Sequence, residues 1–309
     1  MIDFIPQIEQ KPVYIKLLIL ILLVSVSLVM TMIIGFLIAL PIFGPDQVLK
    51  TLNITNLNSP ATISMLKFFQ VINQVGVFII PALVYAFLEN RKAYTYLGLN
   101  NLPAIRPLFI SILVILVSLP AIGWLIEFNE MMALPDFLKG VESWMRESED
   151  KTNQLTEAFL DVHSIVGLLI NLLIIALLAS IGEELLFRGV LLRILYDGIK
   201  NIHIAVFLSA VIFSAFHLQF FGFLPRMVLG ILFGYIFLWT GSLWIPIVLH
   251  FLFNAITVVA AYLYNIGAMT TDIKDFGTSD EFLVILGSFL VTIILLLFIR
   301  RTGRSEIPI

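Results

Sequence analysis

Two adjacent carboxylates, Glu183 and Glu184, follow the apolar run 172–179, and Arg188 comes one helical turn after Glu184. Glu184 and Arg188 are spaced i and i+4 with the acid first, which favours an ion pair on one face of a helix. Glu183 lies about 100° round the helix from Glu184 and therefore faces elsewhere. A carboxylate that is left outside an ion pair is a candidate general base.

Two histidines occur in later apolar stretches, His217 at the end of "FSAFH" and His250 at the start of "HFLFN". Asn254 follows His250 at i+4, so both side chains leave one face of a helix and are predicted to donate N–H groups to a developing oxyanion. Phe213 lies one turn before His217, which is predicted to help Glu183 hold and orient a water. The set therefore predicts water activation with oxyanion stabilisation, the chemistry of amide-bond hydrolysis.

A lone histidine on an apolar helix is more often a satisfied hydrogen-bonding group than a catalyst. Six such polar residues together are harder to explain by packing, since an ionisable side chain at membrane depth costs about 2.5 to 3.5 kcal/mol. We therefore expect a shared polar cavity. For Glu183 to reach the depth of His217, the helix must continue through "LLFRGVLLRIL" instead of ending at Gly182.

Composition indicates what must position these residues. The chain has 309 residues, 60% hydrophobic and 13% charged, with a mean hydropathy of +1.04, which is typical of a polytopic membrane protein. The first apolar stretch, 17–43, is too long for a signal peptide and is predicted to be a retained anchor. At roughly 20 residues per crossing, the sequence predicts an all-α bundle of about eight transmembrane helices near 16–40, 65–88, 107–128, 170–195, 204–221, 225–240, 244–264 and 281–299.

Three regions are predicted along the chain: N-terminal helices with an interfacial loop in 1–160, a catalytic core in 161–265, and a last helix with a cytoplasmic tail in 266–309. The polar interruption 129–163 carries spaced apolar residues that predict an interfacial amphipathic helix; they are Phe137, Leu138, Val141, Trp144 and Met145. Gly230 and Gly234 form a GxxxG pattern that predicts close helix packing.

Other polar residues within the apolar segments are interpreted as structural or interfacial, because amides join helices and lysine reaches toward the membrane surface; they are Lys67, Gln70, Asn73, Gln74, Asn171, His163 and His203. Lysine and arginine favour cytoplasmic segments, and their placement predicts that both termini are cytoplasmic; the residues counted are Lys11, Lys16, Arg91, Lys92, Arg106, Arg188, Arg193, Lys200, Arg300, Arg301 and Arg304. The chain has no cysteine, which excludes thiolate chemistry. The sequence has no basic stripe interleaved with aromatic residues that would indicate nucleic-acid binding.

The three motifs together resemble those of a known family. EExxxR (Glu183, Glu184, Arg188), FxxxH (Phe213, His217) and HxxxN (His250, Asn254) occur in that order on successive apolar segments. This arrangement resembles the CPBP family of intramembrane proteases, which includes type II CAAX prenyl endopeptidases and bacteriocin-immunity or "Abi" proteins. The resemblance covers roughly 172–260, and hydropathy alone supports the rest.

The resemblance implies a bundle of about eight helices around a water-filled chamber open to membrane and cytosol. It implies that Glu183 and His217 activate the water, that His250 and Asn254 form the oxyanion site, and that the other motif residues support them. Family members have been described both as metalloproteases and as metal-independent glutamate proteases. Glu183, His217 and His250 offer three ligands to Zn²⁺, but the absence of HExxH favours an ordered water without a protein-bound metal.

Motifs of other intramembrane proteases are absent, namely HExxH, GxSG and a pair of intramembrane aspartates. Ser214 lies near His217, but a helical serine in a membrane usually bonds its own backbone. The sequence therefore predicts an intramembrane endopeptidase that acts on hydrophobic or lipidated, CAAX-like substrates, in a prokaryotic inner membrane. The alternative is a non-catalytic immunity or scaffold protein of the same fold. A transporter is disfavoured because no inverted repeat with broken helices is evident.

Overall fold

The computed structural model describes residues 8–50, 57, 59–271 and 276–303, and gives only the backbone of Lys50. This part of the chain is helical and contains no β-strand. Its main helices are Val13–Phe43 (α1), Pro60–Glu89 (α2), Ile105–Glu130 (α3), Lys139–Leu160 (α4), Ile165–Ile199 (α5), Ile202–Phe216 (α6), Phe223–Thr240 (α7), Trp244–Asn265 (α8) and Phe282–Thr302 (α9). Short helical turns connect them at Pro45–Lys50, Ala93–Tyr96, Asp136–Leu138 and Phe220–Gly222.

Within the described residues, seven helices are long and apolar enough to cross a membrane, which are all of the main helices except α4 and α6. The predicted all-α polytopic bundle is thereby confirmed, and the chain is an integral membrane protein. The predicted division into 1–160, 161–265 and 266–309 remains a prediction, as does the cytoplasmic location of the termini. Residues 304–309 of the predicted tail, including Arg304, lie outside the described residues.

The predicted span 204–221 is shorter in the structure. Helix α6 has 15 residues and ends at Phe216, so at 1.5 Å per residue it extends about 22 Å, less than the roughly 30 Å of a hydrocarbon core. It ends there because His217 closes the last turn and Leu218 adopts a left-handed φ of 52°. His217 therefore lies at the end of α6 and not inside a membrane-crossing helix.

Helix α5 is continuous from Ile165 to Ile199. This continuity is required for Glu183 to lie at the same depth as His217. Two of its segments, Leu172–Leu178 and Leu185–Leu191, wind as wider π-helical turns, with the two carboxylates between them. Every residue of Leu185–Leu191 is buried. Helix α5 is thus enclosed by its neighbours at the level of the motif, and π-helical turns are often found at functional sites.

Helices α6 and α7 pack closely through the predicted GxxxG pattern. A Cβ atom added at Gly230 would lie 2.9 Å from the Cβ of Ala210, and one at Gly234 would lie 3.0 Å from Cγ1 of Val206. Both distances are too short for larger side chains, so the prediction that these glycines allow two helices to approach is confirmed.

Several of the polar residues interpreted as structural join helices. Lys67 of α2 donates to the Oδ1 atom of Asn171 at 2.7 Å, and Asn171 donates to the carbonyl of Phe159 at 2.8 Å. At the opposite end of α2, Lys16 lies 2.9 Å from Glu89 and 2.6 Å from Asp197. These bonds join α1, α2, α4 and α5 through polar contacts.

Candidate active site

Glu184 is the centre of a buried polar network between α5 and α8. Its Oε1 atom accepts from Nη1 of Arg188 at 2.7 Å and lies 2.9 Å from Nδ1 of His250. Arg188 also donates from Nη2 to the carbonyl of Gly230 in α7 at 3.2 Å. Glu184 is fully buried and Arg188 is 1% exposed. The predicted i, i+4 ion pair is therefore present, and it connects α5 to α7 and α8.

Glu183 points to a different place, as its position on the helix predicts. Its Oε2 atom lies 3.7 Å from Nε2 of His217 and 3.8 Å from Nε2 of His250. Side chains from α5, α8 and the end of α6 thus converge on one carboxylate oxygen, which is buried and has no hydrogen-bond partner. The side chain of His217 is 29% exposed, whereas those of Glu183 and His250 are 7% and 8% exposed. The group is therefore open on the His217 side.

In each imidazole, the hydrogen bond made by Nδ1, the nitrogen that faces away from Glu183, determines which nitrogen carries the proton. Nδ1 of His217 lies 2.9 Å from the carbonyl of Phe213, which can only accept. Nδ1 of His250 faces the carboxylate of Glu184, which also accepts from Arg188. We therefore assign the proton to Nδ1 in both rings. In the neutral rings, both Nε2 atoms then face Glu183 as acceptors.

Three acceptor atoms in one place require a hydrogen-bond donor or a cation between them, because acceptors repel each other in a medium of low dielectric constant. A water molecule supplies two O–H donors and keeps a lone pair for attack on a carbonyl carbon. This arrangement can bind and orient a nucleophilic water, provided that the oxygen lies between Glu183 and the imidazoles.

Asn254 is one turn further along α8, on the same side as His250. Its Nδ2 atom donates to the carbonyl of Ile175 at 3.3 Å, in the first π-helical segment of α5. This bond uses one of the two amide hydrogens and fixes the plane of the side chain. The second hydrogen is available to a ligand.

Aromatic rings surround the charged pair. The guanidinium of Arg188 lies 4.6 Å from the ring centre of Phe213 and 5.5 Å from that of Phe233. His250 lies against the same two rings, at 6.0 and 5.6 Å. Phe213 therefore contributes both its ring to the wall of the site and its carbonyl to His217.

The residues of the alternative metal set do not form a ligand cage. Zn²⁺ bonds of about 2.0 to 2.1 Å in a tetrahedron place ligand atoms about 3.4 Å apart. The two oxygen to nitrogen separations at Glu183 are 3.7 and 3.8 Å. No group of three histidine, aspartate or glutamate side chains in the described residues is arranged to hold a metal ion. As positioned, the Oε2 atom of Glu183 and the Nε2 atoms of His217 and His250 face one another but are not arranged as metal ligands.

Several contacts in this region had no signal in the sequence. Phe233 and the carbonyl of Gly230 are brought to Arg188 by the packing of α7, and the carbonyl of Ile175 meets Asn254 across two helices. Ser214 is not placed as a nucleophile: its hydroxyl donates to the carbonyl of Phe223 at 2.7 Å, in α7 and not in its own helix. Such partners depend on tertiary structure.

Comparisons with known proteins agree with the motif resemblance. Residues 165–256 match the family described as "Type II CAAX prenyl endopeptidase Rce1-like". The chain is 32% identical over 114 residues to "Putative membrane peptidase YdiL" of Bacillus subtilis (strain 168), covering 37% of this chain and 43% of that protein. It is 30% identical over 90 residues to "Uncharacterized protein YpbD" of the same organism, covering 28% and 43%. The chain thus matches less than half the length of either relative. No solved structure matches it. The matched segment 165–256 contains all of the motif residues, so the resemblance recognised on the three motifs is confirmed.

Proposed function

We propose that this protein is an intramembrane endopeptidase that hydrolyses peptide bonds of membrane-associated substrates with a water held by Glu183 and His217. The observation that carries the proposal is the convergence of His217 and His250 on the unpaired Oε2 atom of Glu183. This group lies within the segment that matches a peptidase family. A binding protein without activity has no use for a carboxylate that faces two imidazoles beside a pair of oxyanion donors.

In the proposed reaction, Glu183 is the general base. As the water oxygen attacks the carbonyl carbon, one water proton passes to Glu183 and the C=O electron pair moves to the oxygen. The protonated Glu183 then gives this proton to the leaving amine, while the electron pair of the oxyanion re-forms the C=O bond and the C–N bond breaks. Nε2 of His217 accepts a hydrogen bond from the second O–H of the water. This bond orients the lone pair that attacks the carbonyl carbon.

His250 and Asn254 stabilise the oxyanion in this proposal. Asn254 donates the Nδ2 hydrogen that the carbonyl of Ile175 does not use. Because Nδ1 of His250 keeps its hydrogen for Glu184, His250 can donate from Nε2 to the oxyanion only when both ring nitrogens carry a proton. Glu184 and Arg188 hold His250 in place, since the same Oε1 atom bonds both side chains. Donors that are fixed before the reaction stabilise developing charge most effectively.

If a divalent metal is present, Glu183, His217 and His250 are the residues that would hold it, and it would supply Lewis-acid activation of the water. Glu184 would then orient His250 through Nδ1, as carboxylates beside metal-bound histidines do. The absence of an HExxH motif supports the metal-independent form of the mechanism.

The proposed substrates are hydrophobic or lipidated peptides presented from the bilayer, including CAAX-like C-termini. Support comes from the description of the matched family and from the position of the site among membrane-crossing helices. Membrane lipid is the other expected partner. The bacterial source of both relatives and the printed name of one, a putative membrane peptidase, support a prokaryotic cytoplasmic (inner) membrane as the location.

Cleavage of a panel of prenylated, acylated and unmodified peptides by the purified protein in liposomes tests this function. We expect Glu183→Ala and His217→Ala to lose several orders of magnitude in kcat/KM. Parallel reactions with a chelator, and with Zn²⁺ added back, decide between the two forms of the mechanism. A parent protein that cleaves nothing but protects cells from a bacteriocin would support the immunity or scaffold alternative.

A further inference from the structure

The turn that follows His217 is held by a part of the chain outside the family match. This turn, 217–222, joins α6 to α7, and helix α4 contacts it. Glu149 of α4 accepts from the backbone N–H of Phe221 through Oε2 at 2.8 Å. Residue 149 precedes the matched segment 165–256, so the three motifs do not include this contact.

Neighbouring residues of α4 contact the same turn. Trp144 packs against the ring of Phe220, with centres 5.4 Å apart. The guanidinium of Arg146 lies 4.2 Å from the ring centre of Phe221. Arg146 is itself oriented by Glu142, whose Oε1 atom accepts two hydrogen bonds at 2.8 and 3.0 Å.

Asn129, at the end of α3, holds the other side of the turn. Its Nδ2 atom donates to the carbonyl of Phe220 at 3.1 Å, and its Oδ1 atom accepts from the N–H of Leu224 at 2.7 Å. Arg226 of α7 donates to the carbonyl of Gln219 at 3.3 Å. Backbone groups of three consecutive residues, 219–221, are therefore bonded to side chains of three different helices.

These bonds matter to His217 because the turn begins at that residue. Leu218 is held at a positive φ of 52°, a conformation that a leucine adopts only when its surroundings impose it. His217 is more exposed than Glu183 and His250 and ends a helix, so its own helix restrains it on one side only. Release of the turn would let Nε2 move away from Glu183.

We propose that Glu149 is a positioning residue for His217: through its bond to the N–H of Phe221, it fixes the turn 217–222 so that the imidazole faces Glu183. The chemical effect on kcat rests on the proposed function, but the placement of His217 does not. Glu149 is half-buried where α4 meets the turn, and its carboxylate accepts a hydrogen bond from the backbone N–H of Phe221.

The test compares three variants. Glu149→Ala removes the acceptor, Glu149→Gln keeps an acceptor of the same size, and Glu147→Ala is the control, because Glu147 lies on the same helix but pairs only with the exposed Lys151. Displacements of about 1 Å in an active site can cost about 100-fold. We expect Glu149→Ala to lose roughly 10- to 100-fold in kcat with KM unchanged, and the other two variants to resemble the parent.

A second readout does not depend on peptidase activity. Diethyl pyrocarbonate modifies unprotonated imidazole nitrogens, and mass spectrometry measures its reaction with His217 in the intact protein. We expect Glu149→Ala to react several-fold faster than the parent, with Glu149→Gln and Glu147→Ala unchanged. If the parent cleaves no peptide, the proposed function fails and the modification rate still decides this inference.

The proposal is overturned if Glu149→Ala leaves both kcat and the rate of His217 modification at parental values. It is also overturned if kcat falls as far in Glu149→Gln as in Glu149→Ala, because the bond to Phe221 would then not be the cause of the loss. If Glu149→Ala does not fold, Glu149→Asp replaces it, since the shorter side chain withdraws the carboxylate from Phe221 and predicts the same direction of change.

Discussion

His250 and Glu184 are hydrogen-bonded across two helices, with Nδ1 of the imidazole 2.9 Å from Oε1 of the carboxylate. Because of this hydrogen bond, the two adjacent glutamates have different roles. Glu184 bonds both Arg188 and His250 through its Oε1 atom and orients the ring, whereas the Oε2 atom of Glu183 faces the Nε2 atoms of His217 and His250. One turn of helix thus supplies both a structural and a proposed catalytic carboxylate.

The first prediction concerns the buried ion pair. Arg188→Met leaves Glu184 charged and buried without its main partner, which typically costs about 3 to 5 kcal/mol. We expect a loss of this size in the free energy of unfolding, measured by denaturant titration in detergent. Lys151→Met is the control, since Lys151 forms the same i, i+4 pair with Glu147 at an exposed position; it should unfold like the parent. An equal free energy of unfolding for the two variants would contradict a stabilising role for the buried pair.

The second prediction concerns the oxyanion site. Asn254→Ala should lower kcat by about 100- to 1000-fold with little change in KM, because the amide acts on charge that develops only in the transition state. Asn265→Ala is a close control: Asn265 is on the same helix and donates to the carbonyl of Leu160 at 2.8 Å, away from the site. Peptide-cleavage kinetics measure both. An equal effect in the two variants would show that Asn254 acts through helix packing alone.

The third prediction concerns the approach of α6 to α7. Gly230→Ala places a methyl group 2.9 Å from the Cβ of Ala210, where neither side can yield, so we expect a cost of about 1 to 3 kcal/mol. Gly287→Ala on α9 has no atom within 4 Å of the new methyl group and should be neutral or slightly stabilising. Thermal unfolding in detergent compares them. A stable Gly230→Ala variant would mean that these helices are not in close contact.

Local spacing was enough to predict much of the site. The i, i+4 pair of Glu184 and Arg188 and the separate direction of Glu183 follow from helix geometry, and the apolar continuation after Arg188 indicated the length of α5. These features depend on residues within one or two turns of each other, where periodicity determines direction.

Other features required the tertiary structure. The sequence "FHLQFFGFL" contains no proline, lysine, arginine or acidic residue to mark a helix end, so the end of α6 at Phe216 was not predicted. The bond from Glu149 to Phe221 joins residues 72 positions apart, and the carbonyl of Ile175 meets Asn254 from 79 positions away. A periodic pattern contains no information about such partners.

The two adjacent glutamates provide the most direct test of the account, because substitution by glutamine keeps the shape of each side chain. The measurement is kcat for peptide cleavage in liposomes, with the free energy of unfolding measured alongside it. For Glu183→Gln we predict a fall in kcat of about 100- to 10,000-fold with unchanged stability, and for Glu184→Gln a clear loss of stability. A Glu183→Gln protein that cleaves peptide at the parental rate would contradict the claim that Glu183 activates the water.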